Sequence, residues 1–105
     1  MSYRIEFTRQ VLKDLKSLRK TDQVTILDHI EQHLAHEPTF QSKSRIKSLR
    51  PGTFPPYRLR VGEFRVYYDV DETEEVVIVF GVVLKSQSFE WLKRTNKKQS
   101  NGEST

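Results

Sequence analysis

The sequence predicts an α+β fold: an antiparallel sheet of about four strands packed on an N-terminal helical hairpin, in the order β-α-α-β-β-β, with room for a short C-terminal helix. Three observations predict it. Residues 9–34 carry apolar side chains at helical spacing in two blocks. Residues 57–68 alternate apolar and cationic residues at a period of two and break at Gly62. Residues 76–84 form an unbroken, β-branched run of strand length. Strands covered on one side by a helix pair make a two-layer sandwich.

Tyr3 to Thr8 alternates weakly and reads as the first strand, with Tyr3, Ile5 and Phe7 on one face. Arg9 to Lys20 reads as a helix whose stripe is Val11, Leu12, Leu15 and Leu18. Its Lys13, Lys16, Arg19 and Lys20 read as a solvated face. Asp22 is the expected N-cap of a second helix, striped by Ile26, Leu27, Ile30 and Leu34. Pro38 stops it, because proline disfavours helical geometry at the preceding Glu37.

Thr39 to Pro56 has little periodicity, and Pro51-Gly52 and Pro55-Pro56 mark turns, with Ile46 and Leu49 as anchors to the core. Two strands follow, Tyr57 to Val61 and Phe64 to Val70. Gly62-Glu63 suits a two-residue type II′ turn, which requires glycine first. Asp71 to Glu74 is a further turn. Val76 to Leu84 reads as a central strand. Gln87 to Arg94 suits a short helix carrying Phe89, Trp91 and Leu92. Residues 1–94 therefore read as one domain, and the polar residues 95–105 as a disordered tail.

Composition narrows the class. At 105 residues and 35% hydrophobic content the chain supports one modest core. It contains no cysteine, which removes disulfides and cysteine–zinc sites and fits a cytoplasmic location. The opening residues are too charged for a signal peptide, and no apolar run approaches the about 18 residues of a membrane span. The net charge of +4 is modest, but its distribution is uneven. Lys43, Arg45, Lys47, Arg50, Arg58, Arg60 and Arg65 are opposed in their segment only by Glu63, and Asp69, Asp71, Glu72, Glu74 and Glu75 follow at once.

The hairpin concentrates this charge. It buries Tyr57, Leu59, Val61, Phe64, Val66 and Tyr68 and turns Arg58, Arg60, Arg65 and Tyr67 to the opposite face. A turn at Gly62-Glu63 sets Arg60 opposite Arg65 and Arg58 opposite Tyr67. Like charges directly opposite destabilise a sheet by up to about 1 kcal/mol, so the arrangement points to an anion that relieves them, with the phosphates of RNA as the expected ligand. Tyr67 supplies a phenol for stacking or proton transfer.

The segment from Pro56 to Ser86, PYRLRVGEFRVYYDVDETEEVVIVFGVVLKS, following a β-α-α start, resembles the RelE/ParE superfamily of bacterial type II toxins over roughly residues 3 to 92. The resemblance implies a small α+β domain and a cognate antitoxin that wraps around it. RelE-type members cleave messenger RNA in the ribosomal A site without metal, using basic residues on the sheet with a tyrosine and arginine near the C-terminus. ParE-type members poison DNA gyrase and lack that full set. By position, Arg58 and Arg60 match the paired cations of one strand, Arg65 the arginine of the next, and Lys85 a basic residue after the last long strand. Ser86 replaces the second basic residue, and Trp91 and Leu92 stand where the tyrosine is expected.

The resemblance thus implies a toxin acting as a ribosome-dependent mRNA endonuclease that inhibits translation by 2′-OH transesterification. Arg60, Arg65, Tyr67 and Lys85 form the catalytic set, and Arg58, Lys43, Lys47 and Arg50 the phosphate-binding set. No metal or other cofactor is expected, and the expected partners are the antitoxin, the ribosome and mRNA. The alternatives are a ParE-like gyrase inhibitor and a non-catalytic RNA-binding relative. His29, His33 and His36 flank the second helix's stripe at a spacing that can hold zinc, but they read as a solvated or partner-facing surface.

Overall fold

The computed structural model describes residues 2–42 and 44–103. Its elements run β1 (Arg4–Phe7), α1 (Arg9–Lys16), α2 (Lys20–Leu34), β2 (Ile46–Ser48), β3 (Tyr57–Val61), β4 (Phe64–Asp71), β5 (Val76–Leu84), a 3-10 turn (Lys85–Gln87) and α3 (Ser88–Glu103). The sheet has five strands in the order β1-β5-β4-β3-β2. The α+β class is as expected, with two corrections to the sheet. Ile46–Ser48 adds a strand beside β3, and β1 runs parallel to β5, so the sheet is mixed.

Thr8, not anticipated as a cap, starts α1: its hydroxyl accepts from the Val11 N–H at 3.2 Å, satisfying one of the helix's free donors. The helix ends at Lys16, four residues earlier than expected, and Ser17 closes it by donating to the Asp14 carbonyl. α2 therefore begins at Lys20, and Asp22 lies in its first turn rather than at the cap. There it pairs with Arg19 at 3.4 Å and places negative charge at the positive end of the helix dipole.

Both helices bury a narrower stripe than their sequence suggests. Val11, Leu15, Ile26, Ile30 and Leu34 enter the core with Leu59, Val61, Val66, Tyr68, Val77, Val79 and Val82. Leu12 and Leu27 do not, and stand in solvent with Val24. One side of a helix meets the sheet, so a residue about 100° round the axis from the stripe stays outside.

The β3–β4 hairpin has the expected register: Arg60 faces Arg65, Arg58 faces Tyr67, and Val61 faces Phe64 across the two-residue turn. Gly62 sits at φ +57°, the left-handed conformation this turn demands and glycine adopts without strain. Between β4 and β5 the register shifts at Tyr67/Tyr68. Gly81 pairs with Tyr67 and Val79 with Tyr68, leaving Phe80 as the extra residue. Val79 and Val82 consequently both reach the core despite their odd spacing.

The largest departure from the two-layer expectation is α3. It lies on the face of the sheet opposite α1 and α2, and it runs from Ser88 to Glu103, past Arg94, where the short helix is expected to end. Asn96 holds it: the side-chain oxygen accepts the Phe54 N–H at 2.8 Å, and the amide nitrogen donates to the Phe54 carbonyl at 2.9 Å. Trp91 stacks on Tyr67 with ring centroids 5.0 Å apart and planes 17° apart. Its indole lies against Gly81, where any Cβ would overlap it.

A candidate anion-binding concavity

Strand alternation sends Arg58 and Arg60 from β3, and Arg65 and Tyr67 from β4, to the face that α3 partly covers. Lys47 joins them from β2 and Lys85 from the turn after β5, whose N–H donates to the Glu63 carbonyl at 2.7 Å. A hollow of about 530 Å³ is lined by these six residues together with Ser44, Ser88, Phe89 and Leu92. Among the described residues its wall carries five cations and no carboxylate. A larger hollow of about 660 Å³ between α2 and the β3–β4 turn also holds cations, Arg19, Arg45 and Arg60, but Asp22 and Glu63 line it as well.

Three cations in the wall sit in different settings. Arg65 is only 7% exposed, and its Nη1 donates to the Gly62 and Phe64 carbonyls at 2.9 Å each, which pins the guanidinium to the hairpin turn. Burial first, and then repulsion from Arg58 and Arg60, push its pKa below the usual guanidinium value; Tyr67 and Glu63 oppose the shift. Arg58 Nε is, among the described residues, the one buried side-chain nitrogen or oxygen without a hydrogen-bond partner. Arg60 remains exposed. The ion pairs among the described residues are Arg4–Glu6 and Arg19–Asp22, so none of the set is ion-paired with a carboxylate. A bound phosphate would relieve both the repulsion and the unpaired donor.

Tyr67 differs from the solvent-facing phenol that alternation predicts. It lines the hollow, but the stacked indole of Trp91 leaves the residue 2% exposed. Of the other expected residues, Arg50 is exposed in the loop after β2 and does not line the hollow, and Lys43 lies outside the described residues. Sequence reasoning named Phe89 only as a helix residue, and overlooked Ser44 and Ser88; a helix folded back over the sheet brings Ser88 and Phe89 to the site.

The acidic residues that follow the hairpin collect in the β4–β5 turn, at the other end of β4 from Gly62, about 24 Å away along an extended strand. His29 and His33 stack loosely on α2, with centroids 5.7 Å apart, and His29 Nδ1 meets the Thr25 carbonyl at 2.9 Å. Among the described residues no three His, Cys, Asp or Glu side chains gather as a metal site, and no helix is long and apolar enough to cross a membrane.

A family model described as the ParE toxin of the type II toxin–antitoxin system parDE matches residues 5–89. A protein named as a candidate toxin, RelE1 of Methanocaldococcus jannaschii, is 35% identical over 79 residues, spanning 75% of this chain and 86% of that one. The chain is similar to the archaeal RelE–RelB complex of Pyrococcus horikoshii at a TM-score of 0.66 and 30% identity, covering 80% of this chain and 96% of the other. The toxin–antitoxin complex RelBE2 of Mycobacterium tuberculosis shares the fold at a TM-score of 0.65 and 24% identity, covering 80% and 99%.

Proposed function

This chain belongs to the RelE/ParE superfamily of type II toxin–antitoxin toxins, and we propose that it is a ribosome-dependent mRNA endonuclease. The observation that carries this reading is the convergence of Lys47, Arg58, Arg60, Arg65 and Lys85 on one hollow without a carboxylate. In the reaction the 2′-oxygen of a nucleotide forms a bond to the adjacent phosphorus, and the bond from phosphorus to the 5′-oxygen breaks. The products are a 2′,3′-cyclic phosphate and a 5′-hydroxyl. The 2′-hydroxyl loses a proton and the leaving oxygen gains one.

Arg60 and Arg65, opposite each other on rigid strands, stabilise the charge that builds on the phosphorane. Arg65 needs little reorganisation, because two backbone carbonyls already orient it. Arg58, Lys47 and Lys85 hold the flanking phosphates. Guanidiniums do not serve as bases near neutral pH, so proton transfer falls to Lys85, to Tyr67 or to ribosomal RNA. The solved relatives include complexes with RelB, which supports a cognate antitoxin for this chain as well. The exposed Leu12, Val24 and Leu27 of the helix pair offer it apolar contacts.

A ParE-like gyrase inhibitor is the second reading. It is favoured by the covering of Tyr67 under Trp91 and by Leu92 and Trp91 in place of a further phenol. Mapping RNA 3′ and 5′ ends in a purified translation reaction tests the first reading. Cuts inside A-site codons are expected, lost when ribosomes are omitted and reduced about 100-fold or more by Arg60→Ala or Arg65→Ala. Intact message would sink the nuclease and make gyrase-dependent DNA cleavage the next assay.

A further inference from the structure

Opposite charges are segregated along β4. The cationic hollow is lined by Arg65 and Tyr67, and the β4–β5 turn at the strand's far end carries Asp71, Glu72, Glu74 and Glu75. Asp71 to Glu74 are exposed, and the turn is a firm tip. The Asp71 carboxylate accepts the Glu74 N–H at 3.0 Å, and the Glu75 carbonyl accepts the Arg4 N–H at 2.9 Å. Among the described residues none of these carboxylates is in an ion pair.

An acidic run alone marks solvated surface. This one has a counterpart of opposite sign on the same molecule: the five cations of the hollow, with the Arg58 Nε–H buried and unpaired. Leu92 and the exposed Phe89 add an apolar wall to the hollow. Glutamate methylenes and the Thr73 methyl can pack there, as no inorganic anion can. The two features cannot meet within one copy. Tyr67 and Asp71 lie about 14 Å apart on one strand that is paired along this length, and such a strand does not fold back on itself.

We propose that the hollow takes the β4–β5 turn of a second copy of this chain, with Glu72 and Glu74 seated among Lys47, Arg58, Arg60 and Lys85. The contact is head to tail. Each added copy brings a free hollow or a free turn, so association continues into open chains instead of closing at a dimer. The net charge of +4 disfavours association in general, which confines attraction to the orientation that brings turn to hollow. An occupied hollow is closed to RNA, so self-association and RNA binding compete. The inference uses the anion-binding character of the hollow and does not depend on the RNA reading.

The test is sedimentation velocity of the full chain at about 0.01 M and about 0.15 M salt, where screening lengths are about 30 Å and about 8 Å. At low salt the mean mass is expected to rise with concentration to about twofold or more, and at the higher salt to return to that of one chain. Two double variants locate the contact. Glu72→Gln with Glu74→Gln removes the charge of the tip, and Lys47→Glu with Arg60→Glu reverses charge in the hollow. Each alone is expected to stay monomeric at low salt. An equal mixture is expected to give a dimer and nothing larger, because one variant supplies the intact hollow and the other the intact turn; that dimer also shows that both fold. General charge screening predicts the reverse for the hollow variant, which loses the net positive charge that keeps copies apart. A monomeric unsubstituted chain at low salt, self-association that persists in either variant, or a mixture that stays monomeric would overturn the proposal and leave the RNA reading standing. A single-stranded hexaribonucleotide is expected to disperse the chains. Association that survives an excess of hexamer would uphold the docking and overturn the RNA reading.

Discussion

Val66 and Tyr68 on one face of β4 lie under α1 and α2 with no exposure, while Arg65 and Tyr67, on the other face of the same strand, are 7% and 2% exposed, Tyr67 beneath Trp91 of α3. Burial is nearly equal and its chemistry is opposite. The first face joins aliphatic and aromatic side chains, and the fully buried Tyr68 hydroxyl there donates to the Pro38 carbonyl. The second face covers guanidiniums without a carboxylate partner and leaves the Arg58 Nε–H unpaired. Burial stabilises the first face and is opposed by desolvation and like-charge repulsion on the second. The stability of the fold therefore belongs to the helix-pair side.

Removing apolar volume from the first face should give the largest effect. Leu59 is fully buried in the core cluster, and Leu59→Ala is expected to lower the unfolding free energy by about 2–5 kcal/mol in urea denaturation. A loss below about 1 kcal/mol would show that this face is not the main source of stability.

Gly81→Ala attacks the second face by placing a methyl group where the Trp91 indole sits. A smaller stability loss of about 1–3 kcal/mol is expected, as for overpacking elsewhere. The chain has one tryptophan, so its emission reports this site alone and should move to the red as α3 lifts. Unaltered emission with wild-type stability would contradict the close packing of indole on glycine.

The smallest effect concerns the rim of the first face. Burial, then Arg45 and His29, lower the pKa of His33 below the usual 6.5. The folded chain thus favours neutral His33. Its contribution to stability is full above the unfolded pKa and is lost as pH falls through the folded value. Stability measured at descending pH below 6.5 should fall less steeply in His33→Gln than in the unsubstituted chain. Identical slopes would place the acid sensitivity elsewhere.

Much of this architecture is legible in the residues themselves. Period-two alternation with glycine at the break sets the β3–β4 register, and with it Arg60 against Arg65. Helical spacing identifies Val11, Leu15, Ile26, Ile30 and Leu34, all buried. It also suggested Leu12 and Leu27, because a stripe read from one helix cannot tell how wide a surface its neighbours will cover. The three-residue β2 escapes notice for a related reason: a segment so short has no period, and pairing with β3 alone makes it a strand.

Alternation and turn chemistry are local, so the class of the fold, the hairpin and the clustering of cations on one strand face follow from the order of the residues alone. The parallel pairing of β1 with β5, the seating of α3 on the cationic face and the outward position of Phe89 arise only in the folded chain. Each depends on residues that become neighbours only when the chain closes: Arg4 with Val76, Tyr67 with Trp91, and Phe54 with Asn96.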